Sequence, residues 1–95
     1  MPNERYELAV SVSNKSLPLE QRIEAVFRLL DFDPELALHV ALRVAEDPAE
    51  DPETLQAVGG KLNVIGSAHR HPTEFEIRDM CKIAHDAYCD PDNSS

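Results

Sequence analysis

Five side chains toward the C-terminal end carry soft or titratable donors: His69, His71, Cys81, His85 and Cys89. Cys81, His85 and Cys89 fall at i, i+4 and i+8, so one helix through them would present all three on one face. The turn His69-Arg70-His71 could fold back to supply a fourth group. Thiolate and imidazole are the ligands zinc prefers. Yet structural zinc sites usually draw on tight pairs such as C-x-x-C, and the sequence has none. The plainer reading makes Cys81 a small buried apolar residue, Cys89 a helix end and the histidines surface groups, since free cysteine is among the most buried residue types. That reading is preferred. No metal or other cofactor is expected, and Cys81, His85, Cys89 and His71 stand only as the candidate ligand set.

The same residues suggest a Cys–His nucleophile. A catalytic thiol needs a lowered pKa, for which a helix N-terminus is the usual setting. Cys81 and Cys89 are instead predicted in the middle and at the end of the last helix, near the negative end of its dipole. The sequence shows no glycine-rich phosphate loop, no Gly-x-Ser-x-Gly and no dinucleotide fingerprint. A non-enzymatic protein is expected, with a Cys/His-site enzyme or zinc protein as the minority alternative.

Acid is the more conspicuous feature. Between residues 31 and 53 stand eight carboxylates, Asp31, Asp33, Glu35, Glu46, Asp47, Glu50, Asp51 and Glu53, against the single base Arg43. If these gather at one end of a bundle they form a docking surface for a basic patch on a partner protein, of the kind small acidic inhibitors use to mask a nuclease groove. The competing reading is helix caps plus a solvated loop. The segment Asp47-Pro48-Ala49-Glu50-Asp51-Pro52-Glu53 lacks the alternating acids and central glycine of an EF-hand loop.

The elements that must position these groups are marked by proline. Prolines 2, 18, 34, 52 and 72 are spaced by 16, 16, 18 and 20 residues, each followed within two residues by glutamate. Proline suits the first helical turn, where its missing N–H would have no intrahelical partner. Acids there meet the positive end of the helix dipole. Asp33 and Asp51 precede their prolines as candidate N-caps. The spacing predicts helices near 3–13, 18–31, 34–46, 52–66 and 73–89, with an unstructured tail at 90–95. Apolar stripes support them: Leu19, Ile23, Val26, Phe27 and Leu30 on the second, Ile77, Met80, Cys81, Ala84, Ala87 and Tyr88 on the last. The third, apolar from Leu36 to Ala45 except for His39 and Arg43, is expected to be central. The adjacent Gly59 and Gly60 suggest a close neighbouring helix or a kink. No stretch alternates convincingly enough for a strand, so the fold class is all-α.

Two successive helices make a unit of about 34 to 38 residues, the period of helical-repeat proteins. The stretch Leu17 to Gly66, with its hairpin, its Asp-Pro corner and its closing Val-Gly-Gly-Lys-Leu-Asn-Val-Ile, resembles a HEAT-type α-solenoid over about half of the chain. That resemblance implies five short helices stacked as antiparallel hairpins, and a scaffold whose exposed face binds other proteins. It implies no catalytic residues.

Composition bounds the rest. Ninety-five residues with 42% apolar content make one folded domain with a modest core. A net charge of −9 is repelled by nucleic-acid phosphates and anionic membranes. The longest apolar stretch, Leu36 to Ala45, falls short of the roughly 20 residues of a membrane span. The opening MPNERYELAV has no basic start followed by an apolar run, so no secretory signal is expected. On one helix Cys81 and Cys89 would lie roughly 12 Å apart, beyond the roughly 7 Å a disulfide bridges. Two reduced thiols and a cytoplasmic setting follow as expectations. The preferred function is a small acidic inhibitor or immunity-type protein masking a basic surface of a partner protein; the runner-up is a HEAT-like adaptor with no inhibitory role.

Overall fold

A computed structural model describes residues 4–89, and over them the protein is all-α. The elements are α1 (Glu4–Ser13), α2 (Leu19–Phe32), α3 (Pro34–Glu46), α4 (Pro52–Ala68), α5 (Glu74–Asp79) and α6 (Lys82–Cys89). Pro2, Pro91 and the expected tail at 90–95 lie outside the described residues. No helix among them is long and apolar enough to cross a membrane.

Proline does open helices here, though not in one way. Pro34 and Pro52 occupy the first turns of α3 and α4, whereas Pro18 is the residue before α2. Asp33 caps α3, its Oδ1 accepting from the Leu36 N–H at 3.2 Å. Asp51 holds the equivalent place before α4 but makes no side-chain cap bond. Glu20, Glu35 and Glu53 each stand in a first turn, facing the positive pole of the dipole.

Contacts between helix ends fix the directions. Arg5 of α1 pairs with Asp33 beyond the end of α2, and Arg22 near the start of α2 donates from Nε to the Val12 carbonyl of α1. These two helices are therefore antiparallel. Arg22 also reaches Glu50 beyond the end of α3, and His69 beyond the end of α4 reaches Glu35 at the start of α3. So α2, α3 and α4 alternate in direction, and α2 and α4 run parallel to each other. Helix α3 is central as expected: Ala37, Leu38, Ala41 and Ala45 are fully buried, packed with Val26, Leu29, Val58, Leu62 and Ile65.

The last helix differs from expectation. The span 73–89 is two helices, broken at Met80 and Cys81. Thr73 opens α5 with a reciprocal capping box to Glu76. Met80 is extended at φ −66°, ψ 145°, and the Cys81 N–H leaves the helix ladder to donate to the Ala45 carbonyl of α3 at 2.9 Å. The chain thus returns along the molecule through α5 and restarts as α6 beside the end of α3. Gly59 then lies against Ala84, and Asn63 donates to the Tyr88 carbonyl at 3.0 Å. Helix α6 accordingly runs parallel to α4, not antiparallel as a further hairpin would.

Candidate partner-binding surface

The eight carboxylates between Asp31 and Glu53 do not form one patch. Helix α3 separates them: Asp31, Asp33 and Glu35 lie at its start, and Glu46, Asp47, Glu50, Asp51 and Glu53 beyond or at its end. Its 13 residues put about 20 Å between the groups.

Four of the eight are held internally. Asp33 caps α3 and pairs with Arg5 at 3.3 Å. Asp47 pairs with Lys15 at 2.8 Å and accepts from the Ala49 N–H; the Lys15 ammonium and that N–H hold its carboxyl below the usual range. Glu35 is the centre of a cationic knot. Arg70 Nε and Nη2 donate to it at 3.0 and 2.6 Å, His69 meets it at 2.8 Å and His39 at 2.9 Å. Arg70 first, then His69, hold the Glu35 carboxyl down to about 2. Arg70 also reaches Glu76, so the knot fastens the start of α3 to the turn before α5.

Glu50 is the largest departure from a docking role. It is 8% exposed, and Arg22 is 4% exposed. The guanidinium grips the carboxylate in a fork, Nη1 to Oε1 at 3.2 Å and Nη2 to Oε2 at 2.6 Å, while its Nε satisfies the Val12 carbonyl. A buried charge is tolerated only when paired and hydrogen-bonded, and here one pair joins α1, α2 and the α3–α4 linker. Glu50 therefore presents no charge outward; it is an internal anchor.

The other four, Asp31, Glu46, Asp51 and Glu53, have no ion pair or hydrogen-bond partner among the described residues. Glu20, in the first turn of α2 and outside the predicted set, is likewise unpartnered. Glu20, Glu46, Asp51 and Glu53 share the end of the molecule where α2 and α4 begin. Unpaired cations near that end are Arg43, facing α1, and Lys82, at the start of α6.

Beside this acidic end opens a shallow groove between α2 and α4, lined by Leu19, Glu53, Gln56, Ala57, Gly60, Lys61 and Val64. Phe27 and Val64 are exposed there, at 40% and 42%, and the Lys61 ammonium sits over the Phe27 ring at 5.0 Å. The signal for this surface was in the sequence: positions 53, 57, 60, 61 and 64 form a second helical face on α4, outside the buried stripe of 55, 58, 62 and 65.

The candidate metal and thiol residues do not converge on one point. The break before α6 corrects the expected mid-helix place of Cys81: it stands immediately ahead of the N-terminus of α6, its carbonyl accepting from the His85 N–H, while His85 and Cys89 lie further along that helix. Cys89 Sγ lies 3.7 Å from His85 Nε2. His71 turns to the Tyr88 hydroxyl at 2.7 Å and packs its ring over Gly66. Among the described residues no three His, Cys, Asp or Glu side chains are grouped to hold a metal ion.

Comparison with known proteins adds no relative: no family model, no curated protein and no solved structure matches this chain.

Proposed function

We propose that the protein is a non-enzymatic binding protein whose acidic end docks on a basic surface of a partner protein, as a small inhibitor or immunity-type protein would. One observation carries this reading: Glu20, Glu46, Asp51 and Glu53 share one end of the molecule without a salt-bridge partner among the described residues. The two helix N-termini beneath them contribute roughly +0.5 of an elementary charge each, and the end of α3 about −0.5. Four carboxylates outweigh that sum and the nearby cations Arg43 and Lys82 together, so the end is net negative and draws cationic surfaces. The antiparallel α2–α3–α4 packing supports a scaffold of helical-repeat character with one face open to a partner.

The test neutralises these four, as Glu20→Gln, Glu46→Gln, Asp51→Asn and Glu53→Gln, and leaves Asp47 and Glu50 in place because they hold the fold. With a basic partner obtained by cross-linking in the native cell, association should slow and lose salt sensitivity. Asp51 makes no side-chain cap bond to lose, and the first-turn dipole terms of Glu20 and Glu53 are each at most about 1 kcal/mol, so the fold should hold. Unchanged association kinetics would remove the acidic end as the docking site.

A further inference from the structure

The three glycines of α4 are not alike. A Cβ on Gly59 would run into the Ala84 carbonyl of α6, and one on Gly66 into the His71 ring. Both are glycine because another group occupies the space. A Cβ on Gly60 would meet nothing within 4 Å. Glycine is the poorest helix former after proline, and nothing among the described residues asks for one at position 60. Gly60 lines the α2/α4 groove together with Leu19, Ala57 and Val64.

We infer that this groove receives a basic amphipathic helix of the partner, packed close over Gly60. This rests on the acidic-end reading and names its occupant. Two parallel helices with a small residue between them form a trough in which a third helix can lie, and small residues are what allow helix axes to approach closely. Charge gives the occupant's sign. Glu53 lines the mouth, and Glu20 and Asp51 flank it without partners, so the occupant carries Lys or Arg at that end. Lys61 stands two turns further along α4, so the occupant presents an acid or its own C-terminal carbonyls there. A second copy of this chain, at −9, is the poorer fit.

The probe is a synthetic helical peptide of about 18 residues with an Ala/Leu face, lysines in its N-terminal half and glutamate near its C-terminus. Titrated into the full-length 15N-labelled chain, it should shift the amides of Leu19, Ala57, Gly60 and Val64 saturably. Gly60→Ala has room for its Cβ and should keep or raise the melting temperature, and Gly60→Leu, whose longer side chain projects into the groove, should weaken the peptide at least tenfold while the circular dichroism spectrum confirms that it still folds. Glu20→Gln with Glu53→Gln should weaken it and flatten its salt dependence. Shifts centred elsewhere, or no saturable shifts, overturn the inference. If Gly60→Leu binds as the wild type does while the two amide substitutions weaken binding, the groove falls and the acidic end stands. If the charge substitutions have no effect, the acidic end falls and the basic occupant with it. A dimer of the free chain that Gly60→Leu dissolves would make the groove a self-association face and also overturn it.

Discussion

At the scale of the residue, the adjacent pair Gly59 and Gly60 shows how 100° around a helix changes a side chain's meaning. Sequence raised a close neighbouring helix for both, and that explanation fits Gly59 alone, because residues next to each other on a helix face different surroundings. Gly59→Ala should therefore destabilise, as α4 and α6 are forced apart, whereas Gly60→Ala should stabilise by up to about 1 kcal/mol through helix propensity. Urea denaturation of the two variants checks this, and the opposite order would contradict the packing described. Glu35 gives a second prediction at this scale. Its carboxyl titrates near 2 instead of the ordinary 4.5, so the fold favours its ionised form. The resulting stabilisation is complete above the ordinary value and is lost as pH falls toward 2. Glu35→Gln should flatten the dependence of melting temperature on pH between about 4.5 and 2, an effect reduced in high salt because the group is exposed to solvent. An unaltered profile would mean that the Arg70 and His69 contacts hold no proton-linked energy. The His69 and Arg70 arms of this knot were not legible in the sequence, since they meet Glu35 from 34 and 35 residues away.

At the scale of the element, proline and acid spacing gave four helix starts nearly to the residue, because caps and dipoles act within one turn. The break in the predicted last helix was not legible. Ile77, Met80, Cys81, Ala84, Ala87 and Tyr88 keep helical spacing straight through it, so periodicity alone draws one rod. The competing partner is tertiary: the Ala45 carbonyl at the end of α3 takes the Cys81 N–H. The one local clue was Thr73 with Glu76, a capping box that marks where α5 begins. Burial of Arg22 with Glu50 was equally hidden, because both residue types ordinarily read as surface. Their pair makes a prediction for the joint of α1, α2 and the α3–α4 linker. Glu50→Gln or Arg22→Met alone should cost about 3–5 kcal/mol by leaving one buried charge uncompensated, whereas replacing both with apolar residues of similar size should recover most of that loss. A double-mutant cycle by chemical denaturation decides it; two small and additive losses would show that the pair is not a coupled buried anchor.

At the scale of the whole molecule, the acid that the sequence concentrates in one segment is divided by geometry. Sequence distance joined Asp31 to Glu53; a central helix of 13 residues holds their ends about 20 Å apart. At physiological ionic strength charges beyond about 8 Å are largely screened from one another, while at 0.01 M salt the screening length grows to about 30 Å. The two ends should thus act separately in the cell and together in dilute buffer. Asp31 is the test residue, being the member of the predicted set at the far end with no internal partner. Asp31→Asn should leave association with a basic partner unchanged at 0.15 M salt, where the fourfold neutralisation of Glu20, Glu46, Asp51 and Glu53 slows it. At 0.01 M salt Asp31→Asn should slow association modestly, because its field then reaches the docking end. Stopped-flow association rates across that salt range measure both effects. If Asp31→Asn slows binding at 0.15 M as much as the fourfold change does, the partner touches both ends, and the acidic surface is a face along α3 and not one pole of the molecule.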